Sequence, residues 1–97
     1  MVAYVVGQLQ IHDEDAFNRY AQHASETVHA HGGEFVIKGT GRRQLLEGDG
    51  PMAYLVVVKF PSYERALTWY HSTEYASLAA QRLRAASGDV MLVEGAE

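Results

Sequence analysis

The chain contains no cysteine among its 97 residues. This absence excludes disulfides, thiolate nucleophiles, cysteine-ligated zinc and iron–sulfur clusters, and it fits a reducing compartment. Positive charge is also in short supply. Eight Lys and Arg stand against twelve Asp and Glu, giving a net charge of −4 with histidine neutral. The basic residues are scattered, so there is no stripe of the kind that tracks nucleic acid and no basic face for anionic lipid. Neither nucleic acid nor membrane is an expected partner. No apolar run approaches the ~20 residues that span a bilayer. The opening MVAYVVGQLQIHDED lacks the charged head and long apolar centre of a secretory signal. A cytoplasmic protein is the expectation.

Several chemical signatures are missing too. GTGRR at 39–43 and GDGP at 48–51 are glycine turns that match neither a phosphate loop nor a dinucleotide fingerprint. No nucleophile elbow of G-x-S-x-G type occurs. The carboxylates of Asp13, Glu14 and Asp15 are adjacent at a helix start, where they complement the dipole rather than form an acid/base pair. His29 and His31 would diverge on a helix, which makes them a poor metal pair. No metal and no cofactor is expected.

What remains is a chain with 47% apolar residues, enough for one folded domain over 1–97. A domain of this size buries only roughly 60–68% of the surface its unfolded chain exposes, so its core is thin. Val2 to Ile11 reads as a strand. Asp13 can cap a helix in which Phe17, Tyr20, Ala21, Ala24 and Val28 form one face, ended by Gly32-Gly33. Glu34 to Lys38 reads as a short strand, with a bulge or bend at Gly39-Thr40-Gly41, a continuation over Arg43 to Glu47, and a turn at 47–51. Ala53 to Phe60 is the strongest strand. Pro61 ends it and Ser62 caps a helix that Ser72 or Thr73 breaks, with a second segment running to about Ala86. Ser87-Gly88-Asp89 reads as a turn before a last strand, Val90 to Val93. The order β-α-β-β-α-β is the α+β, ferredoxin-like pattern, its second helix in two pieces.

Side chains alternate across a strand, so a sheet covered by helices on one side needs a polar second face to meet water. These strands have none. Tyr54, Val56, Val58 and Phe60 share one face of the central strand, and Ala53, Leu55, Val57 and Lys59 the other. An open face this apolar predicts a homodimer, sheet against sheet, with a barrel-like core.

The segment WYHSTEYASLAAQRLRA at 69–85 carries the candidate chemistry. Counted from Tyr75, an inward stripe holds Leu78, Ala79, Leu83 and Ala86, and Arg82 lies on it. A guanidinium turned inward needs an anion or several acceptors. Arg82 is therefore a candidate for binding a small anionic ligand, or it pairs with a structural carboxylate or reaches the rim. Tyr70, Ser72 and Tyr75 surround the helix break and could donate to a ligand, or Ser72 could simply cap. His31, three past Val28, could move a proton or close the helix end.

AHGGEFVIKG after the first helix, LLEGD before the central strand, VVVKFPSYERALTWYHSTEY, and LRAASGDVMLVEG at 83–95 together resemble domain-of-unknown-function family number 1330. The likeness runs in order along nearly the whole chain. It implies a protomer of the dimeric α/β-barrel superfamily, a homodimer through its sheets, and no established activity. It points to His31-Gly32-Gly33, Glu47-Gly48, Phe60-Pro61, Tyr70, Ser72, Tyr75 and Arg82. Cofactor-independent monooxygenases, lactone isomerases and haem-handling enzymes share that superfamily, but a shared fold does not fix function. Two readings of different class follow. One is an enzyme or binder for a small acidic or phenolic metabolite, with Arg82 anchoring the anion, His31 moving a proton, and Tyr70, Ser72 and Tyr75 orienting the ligand. The other is a non-catalytic ligand-binding or structural homodimer. A monooxygenase or isomerase is a third reading by fold analogy alone.

Overall fold

The computed structural model describes residues 1–39, 41–50 and 53–96. β1 (Ala3–Ile11) is followed by α1 (Glu14–Ala30), β2 (Glu34–Ile37), β3 (Tyr54–Phe60), α2 (Tyr63–Tyr70), α3 (Thr73–Ala85) and β4 (Ala86–Glu94). The strands form one antiparallel sheet in the order β2-β3-β1-β4. This is the ferredoxin-like arrangement, with the second helix split as its sequence requires. No helix among the described residues is long and apolar enough to cross a membrane.

Each helix starts where a side chain can satisfy its free amides. Asp13 accepts from the Ala16 amide at 3.1 Å. Ser62 accepts from Arg65 at 3.1 Å, and Ser72 accepts from Tyr75 at 3.2 Å. The α1 end turns through Gly32, whose φ of +82° lies in the region that only glycine enters freely. The next amide, Gly33, donates to the Val28 carbonyl at 2.9 Å.

Register decides which side chains meet the helices. Val5 lies opposite Val58 and Leu92, and Gly7 opposite Val56 and Val90, so these six share the helix-covered face. Phe60, Trp69, Tyr75, Val28 and Phe17 complete the core above it. On the other face Tyr4 is opposite Lys59 and Val93, and Val6 is opposite Val57 and Met91. No helix among the described residues covers that face, and Met91 is 59% exposed.

Three expectations are corrected. The residues 87–89 do not form a turn: α3 passes directly into β4 at Ala85–Ala86, and Gly88 pairs with Leu9 inside the ladder. Gly88 reads as a turn signal in sequence, but here it serves a close approach of β4 to β1. Its φ is +132°, and a Cβ there would run into the Gln8 carbonyl. Arg43 to Glu47 does not extend the second strand; Leu45 and Leu46 are exposed and unpaired in the ladder. The inward stripe of α3 is Tyr75, Leu78, Arg82 and Ala85, whereas Leu83 is 67% exposed. The helix ends one residue earlier than its apolar run suggests, and Ala86 is buried as a strand residue instead. Thr40 and Pro51, parts of the expected bend and turn, lie outside the described residues.

Candidate functional site

A cavity of about 200 Å³ lies between the helix-facing side of the sheet and the helices. Its floor is β1 and β3 at Val5, Gly7, Val56 and Val58, and α1 walls it with Phe17, Tyr20, Ala24 and Val28. Gly7 helps to keep it open. A Cβ at that position would stand 2.8 Å from the Val56 side chain. Apolar surface dominates the walls, as in small-molecule pockets generally.

The polar end is built from two helices. Tyr20 on α1 and Tyr75 on α3 share a hydrogen bond of 2.7 Å between their hydroxyls. One guanidinium N–H of Arg82 donates to the Tyr75 oxygen at 3.0 Å. Tyr75 and Arg82 are seven residues apart, two helical turns, so both face the cavity from one side of α3. The proton count has a consequence. Two phenols contribute two protons, and their mutual bond consumes one. The other remains available to the cavity. With Arg82 donating to Tyr75, the cooperative direction is Arg82 to Tyr75 to Tyr20, which leaves the Tyr20 proton free.

Arg82 is 7% exposed. The ion pairs among the described residues are His23–Glu26 and Lys59–Glu34, and neither involves it. Burial pulls its pKa down, the charges that Tyr75, Tyr20 and Tyr70 carry once ionised push it up by more, and at neutral pH it stays charged. Burial pushes the Tyr20 phenol far above the usual tyrosine range, and Tyr75 adds to this. Burial likewise raises Tyr75, against lowering by the Tyr20 hydrogen bond and by Arg82. At neutral pH the site is thus one cation and two neutral phenols, a set of donors. Among the described residues no carboxylate and no imidazole lines the cavity.

Of the sequence candidates, Tyr75 and Arg82 meet in this cavity. Ser72 is used locally: it accepts from the Tyr75 amide and donates to the Trp69 carbonyl at 2.7 Å. Tyr70 stacks near Tyr75, with ring centroids 5.7 Å apart, but lines a separate surface hollow with Leu67, His71 and Met91. His31 sits at the α1 end with Nδ1 2.9 Å from the Thr27 carbonyl. Since a carbonyl only accepts, that nitrogen carries the proton. His31 does not line the cavity.

Tyr20 and Lys38 are lining residues that sequence reasoning missed. Tyr20 lay on the core stripe of α1 and read as packing. Its signal was available, because a buried phenol needs a partner for its hydroxyl. Lys38 had no comparable signal.

No curated protein matches the chain. The methylated RPA0582 protein has a similar structure, with a TM-score of 0.77 and 13% identity over 99% of this chain and 82% of that one. So does RPA0582 from Rhodopseudomonas palustris, a protein of unknown function, with a TM-score of 0.73 and 16% identity over 95% and 78%. An ethyl tert-butyl ether d (EthD) family protein from Bacillus halodurans aligns at a TM-score of 0.50 and 13% identity, covering 98% of each chain. At these identities the likeness is one of fold. The family model for a domain of unknown function matches residues 2–96, and on that match the chain belongs to the DUF1330 family.

Proposed function

We propose that the protein binds a small acidic or phenolic metabolite in the cavity beneath α1, with Arg82 as the anion anchor and the Tyr20–Tyr75 pair as a directed hydroxyl donor. The observation that carries this reading is Arg82 itself. It is buried, bears a full charge, and spends one donor on Tyr75 with no carboxylate paired to it among the described residues. A guanidinium has five N–H groups in a fork that matches a carboxylate, so an anion in the cavity would complete the set. The chemistry favours binding, or stabilisation of developing negative charge, over proton abstraction. Among the described residues the lining provides donors and lacks a carboxylate or imidazole base, and His31 is engaged at the helix end.

The reading includes a homodimer joined through the open sheet faces. Val6, Val57, Tyr4, Met91 and Val93 form an apolar centre on the uncovered side, and a second copy would present the same surface in return. This assembly supports the fold from below and leaves the cavity, on the helix side, with each protomer.

The test is a calorimetric and thermal-stabilisation screen of anionic metabolites on the wild type and on Arg82→Met. Hits that stabilise the wild type and lose their effect in the variant support the reading. Hits that stabilise both proteins equally refute it.

A further inference from the structure

We infer that the cavity is shaped for a ligand with two acidic ends, one held by Arg82 and the other by Lys38, joined by an apolar body. This rests on the reading of Arg82 as an anion anchor and goes beyond it by naming the ligand class. Lys38 follows β2 and lines the same cavity. Its ammonium stands 4.8 Å from the Phe35 ring centroid, and neither ion pair among the described residues involves it. The cavity therefore carries two cations and, among the described residues, no anion, within a chain whose net charge is −4.

The two cations belong to opposite ends. Arg82 is tied to Tyr75 and, through it, to Tyr20. Lys38 precedes Gly39, which packs against the Tyr54 ring, since a Cβ on Gly39 would stand 2.7 Å from that ring. A row of aromatic rings connects these places. Tyr75 to Tyr20 is 6.3 Å between centroids, Tyr20 to Phe17 is 5.5 Å, and Phe17 to Tyr54 is 5.1 Å. The row gives an apolar wall along which a hydrocarbon body can lie. At a few tens of Å³ per non-hydrogen atom, the cavity takes roughly seven to ten such atoms. A carboxylate at Lys38, which is exposed, would project from the mouth. Straight-chain dicarboxylates of about six to eight carbons have these proportions.

The energetic logic sets the size of the effect. Arg82 is buried and gains most from an anion. Lys38 is solvated when the site is empty, so its pairing resembles a partly screened surface contact. It should therefore contribute a margin of about two- to fivefold in affinity rather than the bulk of it. The experiment is a calorimetric titration of the whole protein with dicarboxylates of graded length and with monocarboxylates of the same length, at fixed ionic strength. A mid-length dicarboxylate is expected to bind about two- to fivefold tighter than its monocarboxylate. Lys38→Met is expected to erase that margin while leaving the monocarboxylate unchanged, and Arg82→Met to abolish both. Equal binding of the two acids, or a margin that survives Lys38→Met, overturns the two-ended ligand and leaves the Arg82 anchor standing. No binding by any acid of the series overturns both.

Discussion

Replacing Arg82 by Met should make the empty protein more stable while removing its capacity to bind an anion. In the folded chain this guanidinium is 7% exposed and has no paired carboxylate among the described residues. Holding a charge away from water costs several kcal/mol, and the open cavity on one side, where water can enter, reduces that cost. What Arg82 recovers is the 3.0 Å bond to the Tyr75 oxygen, and hydrogen bonds to charged groups contribute about 1.5–3 kcal/mol. Tyr75 keeps its bond to Tyr20 in the variant, so no phenol is orphaned. A thioether of comparable length fills the space and suits apolar walls. The balance is a gain of about 1–2 kcal/mol, with each kcal/mol raising the midpoint of thermal unfolding by about 4–8 °C in a domain of this size. Urea denaturation of both proteins at matched concentration measures it, since association would otherwise shift the midpoints. A variant less stable than the wild type by 2 kcal/mol or more would show that Arg82 is a structural tie with its charge already compensated, and the anion-site argument would fail.

Three other outcomes follow from the same geometry. Val57→Lys places a charge at the centre of the uncovered sheet face; under the proposed assembly the wild type should sediment as a dimer and the variant as a monomer, and a monomeric wild type or an unchanged dimer would refute that interface. Gly88→Ala forces a side chain into the Gln8 carbonyl at a φ of +132° and should cost about 2 kcal/mol or more in denaturant unfolding. A cost under about 0.5 kcal/mol would contradict the close β1–β4 approach at Gly88. The third concerns pH. Folding raises the Tyr20, Tyr54 and Tyr75 phenols, in each case chiefly through burial. The unfolded chain therefore loses these protons first, and stability that is complete below the ordinary tyrosine pKa of about 10 declines above it by up to about 1.4 kcal/mol per pH unit for each group. Phenolate absorbance for these three should appear together with unfolding; titration in the folded protein near the ordinary value would contradict their burial.

Local signals carried most of the architecture. Asp13, Ser62 and Ser72 announce their helices, and all three accept the amide bond that such a cap requires. The break between α2 and α3 was readable because Ser72 can cap only where a helix begins. The junction at Ala85–Ala86 was not readable. Gly88 is an ordinary turn residue in sequence, and its actual reason, the passing Gln8 carbonyl, comes from β1, far away in the chain. Leu83 was misassigned for a related reason. With the helix taken one residue too far, Ala86 completes an apparent stripe, whereas the buried side is centred on Tyr75, Leu78, Arg82 and Ala85, and Leu83, about 100° past Arg82, falls off it. In the cavity, the meeting of Tyr75 and Arg82 was legible because both lie on one helix two turns apart. Tyr20 and Lys38 come from other elements, and their convergence exists only after the sheet has formed.

The direct passage from α3 to β4 also has a mechanical meaning. The Ala85 carbonyl accepts from the His12 amide at 2.8 Å and from the Asp13 amide at 3.2 Å. A single oxygen thus rivets the entrance of α1 to the exit of α3, the helices that bear Tyr20 and Arg82. With no intervening residue at that joint, the backbone sets where α1 begins relative to where α3 ends, and so the places from which Tyr20 and Arg82 reach into the cavity. Protein engineers seeking to lengthen or permute the chain should leave this rivet whole.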